Sequence, residues 1–453
     1  MRRPLLGSEP FNWTDHNIAI RRTITLQLDG PSRYDRPVAA AALYPRFAES
    51  DLIEALADSP VVLLHGPRQC GKTTLARVVG ERRGYAYVTF DDDVARRAAQ
   101  ADPAGFVDNL PARATLDEVQ RVPELFTALK ATIDRRRAPG RFLLTGSANV
   151  LLVPRLADSL AGRMEILRLY PLAQTELARR KSSFLTALLG GTFKTRRTAR
   201  LAGELAERVA AGGYPAALAR VPGRRRAAWY RDYVETIVQR DIRDLARIGA
   251  LDTLPRLLAL TAGQTARLLN VSELSAPFSV SRPTIRDYVT LLQRVFLLEE
   301  LPPWHRNRMS RLVKTPKLHV GDTGLACALL GVDSHALNAD RTLLGQLLET
   351  FVFQELRRQA SWFGDPLSFF HFRAKDDYEV DIVIERGAQS VVGVEVKASA
   401  TVTPTDFRGL RKLHEAAGRS FKAGVVLYDG ETAASFGDNL FAVPIRSLWE
   451  TMA

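Results

Sequence analysis

Short hydrophobic runs alternate with amphipathic segments along residues 44–170. The run VVLL (61–64) predicts a buried strand, and four further segments have a similar strand-like composition: YAYVTF (85–90), RATLDE (113–118), RFLLTG (141–146) and MEILRL (164–169). Helix-like patterns separate these strands, and such alternation is typical of βαβ units. The pattern therefore predicts an α/β fold in which helices cover both faces of a parallel sheet.

Helical periodicity dominates from about residue 172 to residue 300, as in RDYVETIVQRDIRDLARIG (231–249). The segment LLNVSELSAPFSVSRPTIRDYVTLLQR resembles a helix-turn-helix, in which Ser272 would cap the first helix and Ser281 the second, with Pro283 in the second helix's first turn. This second helix would offer Arg282, Thr284 and Arg286 to a DNA groove, unless the module only packs between domains.

A basic stretch follows this module and would form a wing. Its cations would lie on a solvated surface or track phosphates: Arg306, Arg308, Arg311, Lys314 and Lys317. Beyond it, LLGQLLETFVFQELRRQ predicts a long helix, and residues 379–399 predict a strand, a turn and a second strand.

Composition restricts the setting of the protein. The 453 residues are 46% hydrophobic and 25% charged, with no apolar run near the roughly 18 residues that span a bilayer. The first residues lack the apolar segment of a secretory signal, and Cys70 and Cys327 are the only cysteines, which fits a reducing cytoplasm. The net charge of +13 favours a polyanion such as nucleic acid, although arginine usage also drifts with genome composition.

The segment VVLLHGPRQCGKTTLARVVG carries the most specific signal in the chain. It contains G-x-x-x-x-G-K-[ST] between a buried strand and a helix, which is the setting that a phosphate loop needs. Lys72 would reach the β- and γ-phosphates of ATP, and the Thr73 hydroxyl would ligate Mg²⁺. The loop would contact the nucleotide through Gly66, Pro67, Arg68, Gln69, Cys70, Gly71, Lys72, Thr73 and Thr74.

Polar residues at the ends of the next strands complete the predicted nucleotide site. Asp117 would hold Mg²⁺ and Glu118 would polarise the attacking water. The strand RFLLTGSAN ends in three polar residues, Thr145, Ser147 and Asn149, of which Ser147 is the candidate that contacts the γ-phosphate. Arg163 would reach that phosphate within the chain or from a neighbouring subunit of a homo-oligomer, or would be a solvated surface arginine.

Charged residues interrupt the predicted hairpin EVDIVIERGAQSVVGVEVKAS (379–399). Strand alternation places Glu395 and Lys397 on one face, and Asp381 faces away from its neighbours Val380 and Ile382. Paired in register, the three charges would meet. They would form a magnesium site, or else a solvent-washed face of the hairpin.

These residues together resemble a prokaryotic family of AAA-superfamily P-loop ATPases with a C-terminal domain related to restriction endonucleases. The likeness begins after residue 43 and extends over most of the chain: YPRF (44–47), GPRQCGKTTL (66–75), LDEVQRVPEL (116–125), LLTGSANVLL (143–152), LAGRMEILRLYPLAQTE (160–176), GGYP (212–215), WYRDYVETIVQRDI (229–242), KTPKLHVGDTGLA (314–326), GQLLETFVFQEL (345–356) and EVDIVIE…GVEVKAS (379–399).

The resemblance implies four segments. Residues 1–42 lie outside it as a loosely ordered extension, which an overlong start-site assignment would explain. Residues 43–180 would form the ATPase domain, residues 181–335 a helical and winged-helix-like domain, and residues 336–453 a PD-(D/E)xK nuclease-like domain.

The nuclease pattern assigns catalytic roles in the C-terminal domain. Asp381 and Glu395 would bind Mg²⁺, Lys397 would stabilise charge on a phosphate, and Glu349 matches the additional helical acid of such folds. Gly393 shares the face of Glu395 and would leave room for a close backbone approach.

Two functions are compatible with these residues. In the first, an Mg-dependent ATPase repositions a nuclease-like tail that acts on DNA. In the second, ATP gates contacts with protein partners and the tail is a catalytically silent scaffold. A small-molecule kinase is a distant third possibility, because the chain shows no acceptor-site motif.

Overall fold

The computed structural model describes residues 43–147, 160, 162–243, 251–278, 280–311, 315–374, 378–387 and 389–450. The predicted extension, Asn149 and Lys314 lie outside the described residues. The described residues from Tyr44 onward belong to one compact unit.

Five parallel strands form the first sheet, in the order β2-β3-β4-β1-β5. They are β1 (Val61–His65), β2 (Ala86–Thr89), β3 (Ala114–Asp117), β4 (Phe142–Gly146) and β5 (Met164–Arg168). Each strand lies within one of the five hydrophobic segments or extends it by one residue. The predicted parallel sheet is therefore confirmed.

Helices cover both faces of this sheet: α1 (Glu49–Asp58), α2 (Lys72–Arg82), α3 (Asp93–Ala101), α4 (Pro103–Asp108) and α5 (Leu125–Arg135). Alternate side chains of β1 enter different layers. Val61 and Leu63 pack with the α5 side, whereas Val62 and Leu64 pack with α1 and α2. Each such buried side chain contributes about 2 kcal/mol, so both layers hold the end of β1 firmly in place.

The next segment is mostly helical. It contains α6 (Gln174–Leu177), α7 (Phe184–Gly190), β6 (Arg196–Arg197), α8 (Gly203–Ala211), α9 (Pro215–Leu218), α10 (Arg224–Thr236), a π-helix (Ile237–Ile242), α11 (Thr253–Gly263), β7 (Arg267–Leu268), α12 (Val271–Ser275), α13 (Arg282–Arg294), β8 (Leu298–Leu301) and β9 (Lys317–Val320). Strands β7, β9 and β8 form an antiparallel sheet in that order. The π-helix continues α10, within the segment whose periodicity predicted helical structure.

One predicted helix cap is confirmed and the other is wrong. The Ser281 hydroxyl accepts from the Thr284 N–H and caps α13, and Pro283 lies in its first turn. Asn270, not Ser272, caps α12, because its side chain accepts from the Glu273 N–H. Ser272 lies inside that helix, where its hydroxyl is too late in the chain to meet the first free N–H groups.

The C-terminal part contains α14 (Thr323–Leu330), α15 (Ser334–Ala339), α16 (Arg341–Ala360), β10 (Leu367–Arg373), β11 (Glu379–Arg386), β12 (Ser390–Lys397), α17 (Arg408–Ala417), β13 (Phe421–Tyr428), β14 (Thr432–Ser435) and β15 (Leu440–Pro444). Its sheet has the order β10-β11-β12-β13-β15-β14-β6. Helix α16 packs on one face and α17 on the other. The edge strand β6 comes from the helical segment, and Phe193 nearby packs on Phe441.

Two expectations about the hairpin need correction. Val380 and Ile382 do not share a face: Val380 packs with α17 and Ile382 with α16, because a bulge in β11 interrupts the alternation. Gly393 does permit a close approach, but the space beside it is taken by Leu410 and Leu413 of α17. It serves helix packing and not ligand access.

Candidate functional site

The phosphate loop begins where β1 ends. Gly66 has a φ of 151°, and a Cβ there would collide with the Leu169 carbonyl. Gly71, with a φ of 102°, leads directly into α2. Only glycine tolerates both requirements, so the loop curls with its backbone towards the positive end of α2.

Lys72 lies within the curl of the loop. Its buried ammonium donates to the carbonyl oxygens of Gly66 at 3.0 Å and Pro67 at 2.8 Å. These two partners are neutral dipoles and not carboxylates, so they do not neutralise the charge of the ammonium. The arrangement keeps a cation at the place where phosphate oxygens would arrive.

Asp117 is the centre of a group of hydroxyls at the ends of β3 and β4. It accepts from Thr73 Oγ1 at 3.0 Å, from the Tyr87 hydroxyl at 2.8 Å and from Thr145 Oγ1. Burial and the Asp117 carboxylate raise the pKa of Tyr87, so its phenol remains a donor. The predicted metal pair, Thr73 and Asp117, is therefore in direct contact.

Glu118 follows with a φ of 58°, a left-handed conformation that is uncommon for a residue with a side chain and is frequent at functional sites. Its N–H donates to Thr145 Oγ1 at 3.1 Å, and its carboxylate accepts from Ser147 Oγ at 2.9 Å and from Gln120 Nε2. The structure thus brings Ser147 to Glu118. Gln120 also donates to Ser147 at 3.0 Å, and its part in the site was not predicted from the sequence.

Arg68 connects the loop to the helical segment. Its Nε donates to Asp241 of the π-helix at 2.5 Å, and the Tyr233 hydroxyl of α10 donates to the Arg68 carbonyl at 3.2 Å. The loop predicted to hold the nucleotide therefore contacts the π-helix through the Arg68 side chain and α10 through the Arg68 backbone carbonyl.

Arg46 braces the other side of the loop. It donates to the Cys70 carbonyl at 2.6 Å, to the Tyr170 carbonyl at 2.7 Å and to the Glu176 carboxylate at 3.0 Å. Arg46 lies in the motif YPRF and Glu176 in PLAQTE, and neither residue had a predicted role. The signal was present, since both motifs accompany the loop, but their contact spans 130 residues.

Arg163 is held by a different partner. Its guanidinium donates to both carboxylate oxygens of Asp134 on α5, at 2.6 Å and 3.1 Å, in an exposed pair. Of the open alternatives, this geometry is that of a paired surface arginine. Its use by a neighbouring subunit stays a prediction.

The hairpin charges do come together, with partners that were not predicted. Strands β11 and β12 pair antiparallel, and Ile382 lies opposite Val394. Asp381 Oδ2 accepts from the Val396 N–H at 2.9 Å, and Glu395 Oε1 accepts from the Lys397 ammonium at 2.8 Å. Burial and the nearby Asp381 raise the pKa of Glu395 to about 8.

Lys317 is the main correction to the predicted wing surface. Its side chain is 3% exposed, and its ammonium lies 2.7 Å from Glu349 Oε1, 2.5 Å from Glu379 Oε1 and 3.4 Å from Asp381 Oδ1. Arg311 also faces inward, where both terminal nitrogens of its guanidinium donate to Glu385. These two cations of the basic stretch are therefore not a solvated surface.

The predicted magnesium site of the tail does not fit this arrangement. Glu349 and Asp381 share Lys317, and Glu395 is bound by Lys397. Among the described residues, no group of three or more His, Cys, Asp or Glu side chains is placed to hold a metal ion. Nor does any helix of the described part combine the length and apolar character needed to cross a membrane.

The five-stranded parallel sheet, with its phosphate loop before α2 and its acidic residue ending β3, defines a P-loop ATPase of the AAA type. The family model "AAA domain" matches residues 58–178, which supports ATP binding and hydrolysis. Two models of domains of unknown function match residues 202–336 (DUF8612) and residues 344–448 (DUF4143). Neither description identifies a nuclease.

The chain belongs to the family of two mycobacterial proteins. It is 32% identical over 408 residues to "Uncharacterized protein Rv2008c" of Mycobacterium tuberculosis and equally to "Uncharacterized protein Mb2031c" of Mycobacterium bovis. Each match covers 90% of this chain and 85% of the relative.

Solved structures show only distant similarity. The Walker-type ATPase PABY2304 of Pyrococcus abyssi has a TM-score of 0.37 and 16% identity, over 63% of this chain and 96% of that one. RuvB of Thermotoga maritima, a Holliday junction branch migration motor, has a TM-score of 0.28 and 19% identity, over 56% and 89%. Similarity this low carries no argument about function.

Proposed function

We propose that the protein is an Mg-dependent ATPase whose nucleotide state gates its helical segment and tail. The observation that carries the ATPase assignment is the contact of Thr73 with Asp117 beside a strained Glu118. These are a hydroxyl and a carboxylate suited to Mg²⁺, next to a second carboxylate suited to orient water.

Each residue has one proposed task at this site. Lys72 would leave the carbonyls of Gly66 and Pro67 and bind phosphate oxygens, because an anion attracts an ammonium more strongly than a neutral dipole does. Bound Mg²⁺ would neutralise charge on the phosphates. Glu118 would accept a hydrogen bond from water once Ser147 and Gln120 turn towards the γ-phosphate.

Two variants test this assignment. Lys72→Ala is expected to abolish both ATP binding by calorimetry and ATP turnover, whereas Glu118→Gln is expected to keep binding and lose about 10²-fold in turnover. Lys194→Ala, at an exposed lysine, is the matched control and should behave as the parent. Unchanged hydrolysis by Lys72→Ala, or no affinity of the parent for ATP with magnesium, would refute the proposal.

Gating is proposed to pass through Arg68. A triphosphate on the loop competes with Asp241 for the guanidinium, since phosphate and carboxylate are equivalent partners for an arginine. Release of Asp241 would alter the π-helix, and π-helical turns are frequent at functional sites. The π-helix continues α10, whose Tyr230 hydroxyl contacts Asp322 at 3.0 Å, and Asp322 in turn binds Arg358 of α16.

Hydrogen exchange measures this step directly. ATP with magnesium is expected to change amide exchange in residues 231–243 of the parent and not of the Arg68→Ala variant. Arg82→Ala removes an exposed arginine from α2 and is the control. If residues 231–243 responded equally in Arg68→Ala, Arg68 would not be the connection.

DNA cleavage by the tail is the second candidate function. The net charge of +13 supports a polyanionic partner, but the contacts of Lys317 with Glu349 and Asp381 disfavour a metal-dependent cut. Incubation with plasmid, ATP and Mg²⁺ or Mn²⁺, beside Asp381→Ala, separates the two functions. Cleavage lost in that variant would establish the nuclease, and no cleavage is the expected result for a gated scaffold with protein partners.

A further inference from the structure

The acidic cluster of the tail, defined as Glu349, Glu379 and Asp381, already contains a cation. The Lys317 ammonium lies within 3.4 Å of an oxygen of each of them. An ammonium has three hydrogens, and the cluster offers one carboxylate to each. The Lys317 ammonium thus binds the same three acids that would be the ligands of a metal ion.

Lys317 is held in this position by its strand. It lies on β9, paired with Leu301 of β8 and Leu268 of β7. Two residues further along β9, the His319 ring contacts the Thr350 hydroxyl of α16 at 3.0 Å, and Thr350 follows Glu349. The strand that carries Lys317 and the helix that carries Glu349 are therefore fastened together, which keeps the two side chains within reach of each other.

Charge balance explains why the lysine is needed. Three carboxylates brought together in a poorly hydrated place repel one another strongly unless a cation is present. The Lys317 ammonium supplies this cation, because it lies 2.5 Å from Glu379 Oε1 and 2.7 Å from Glu349 Oε1. A divalent cation at this point would also reduce the repulsion among the acids, and the ammonium and the metal ion cannot occupy one place.

The remaining ligands are also engaged. Asp381 Oδ2 is bound by the Val396 N–H, and Glu395 Oε1 by Lys397. Glu395 Oε2 is buried and has no hydrogen-bond partner in the described part of the chain. The acids of the hairpin are therefore arranged as in a metal site, but they are bound by lysines and a backbone N–H and not by a metal ion.

We infer that the Lys317 ammonium takes the place of a divalent cation in the tail, and that the acidic cluster binds such a cation only when this charge is removed. The native tail is then held together by an internal cation and is independent of metal. This role of Lys317 does not depend on ATP hydrolysis.

Manganese binding tests the inference on the full chain without nucleotide, by counting bound Mn²⁺ in electron paramagnetic resonance titrations. The parent and Asp381→Asn are expected to bind equal amounts, because the phosphate loop is the same in both. Lys317→Met is expected to bind one additional Mn²⁺, which Lys317→Met with Asp381→Asn loses again. Lys317→Arg keeps a positive charge and should gain nothing.

Two results would overturn the inference. One is a parent protein that binds one Mn²⁺ more than Asp381→Asn, because the cluster would then accept a metal beside the lysine. The other is a folded Lys317→Met that gains none. Should Lys317→Met fail to fold, the comparison of the parent with Asp381→Asn still decides whether the native cluster is free of metal.

Discussion

The phosphate loop and the acidic cluster of the tail use the same types of residue in opposite ways. At the loop, Lys72 is bound by backbone carbonyls, and Asp117 is bound by hydroxyls. In the tail, the Lys317 ammonium is bound by three acidic side chains. The first arrangement leaves the charges of the lysine and the carboxylate available to a ligand, whereas in the second the lysine and the carboxylates are paired with each other.

The difference shows what decides whether acids near a lysine form a binding site. Both regions combine a buried lysine with a carboxylate that lies on a strand. The partners of the lysine differ: dipoles can be exchanged for phosphate at low cost, but buried carboxylates cannot be left without a cation. Substitution of Lys317 should therefore lower the free energy of unfolding much more than substitution of Lys72.

The largest expected effect comes from Lys317→Met. It leaves the cluster without its cation, so the free energy of unfolding should fall by about 3 kcal/mol, measured by urea denaturation at pH 7. Lys412→Met is the control, because its ion pair with Glu415 is exposed and its loss should cost under about 1 kcal/mol. Equal losses in the two variants would contradict the internal-cation assignment.

A smaller effect is expected from pH. When folding raises the pKa of a carboxyl group, this group stabilises the folded state at a pH below its pKa in the unfolded chain. The stabilisation is lost as the pH rises through its pKa in the folded protein. For Glu395 that window runs from 4.5 to about 8. The free energy of unfolding of Glu395→Gln, measured by urea denaturation, should therefore match that of the parent near pH 4.5. At pH 8 it should be higher than that of the parent by about 2 kcal/mol or more.

The control for this pH effect is Glu415→Gln on the exposed face of α17. It should follow the parent at every pH. A Glu395→Gln difference that stays constant from pH 4.5 to pH 8 would contradict a raised pKa of Glu395 in the folded protein.

The smallest expected effect is the stability change of Lys72→Ala. Only two hydrogen bonds to carbonyls are lost, so unfolding should become easier by about 1 kcal/mol or less, although ATP turnover disappears. Urea denaturation without nucleotide measures it, beside Lys194→Ala. A loss as large as that of Lys317→Met would show that the loop lysine has a structural role and would erase the contrast between the regions.

The geometry of the phosphate loop was predictable because its information is local. Gly66, Gly71, Lys72 and Thr73 lie within eight residues, and the flanking strand and helix have clear periodicity. The position of Asp117 beside Thr73 was also predictable, because the carboxyl ends of parallel strands meet at one edge of the sheet.

The tail was predicted less well because its decisive contacts are distant in sequence. Lys317 stands in a basic stretch and meets Asp381 across 64 residues. Neither the composition of this stretch nor the spacing of its residues predicts that the Lys317 side chain is buried. The bulge in β11 and the capping of α12 by Asn270 rather than Ser272 likewise depend on register shifts of one or two residues, which sequence patterns do not resolve.

The two-residue strand β6 has a consequence for experiments on the tail. It comes from residues 196–197, yet it pairs with β14 at the outer margin of the tail sheet. A fragment that starts after residue 335 would uncover the hydrogen-bonding edge of β14, and such edges recruit strands from other molecules. Self-association of that fragment would then be an artefact of truncation, so the tail should be studied within the intact chain.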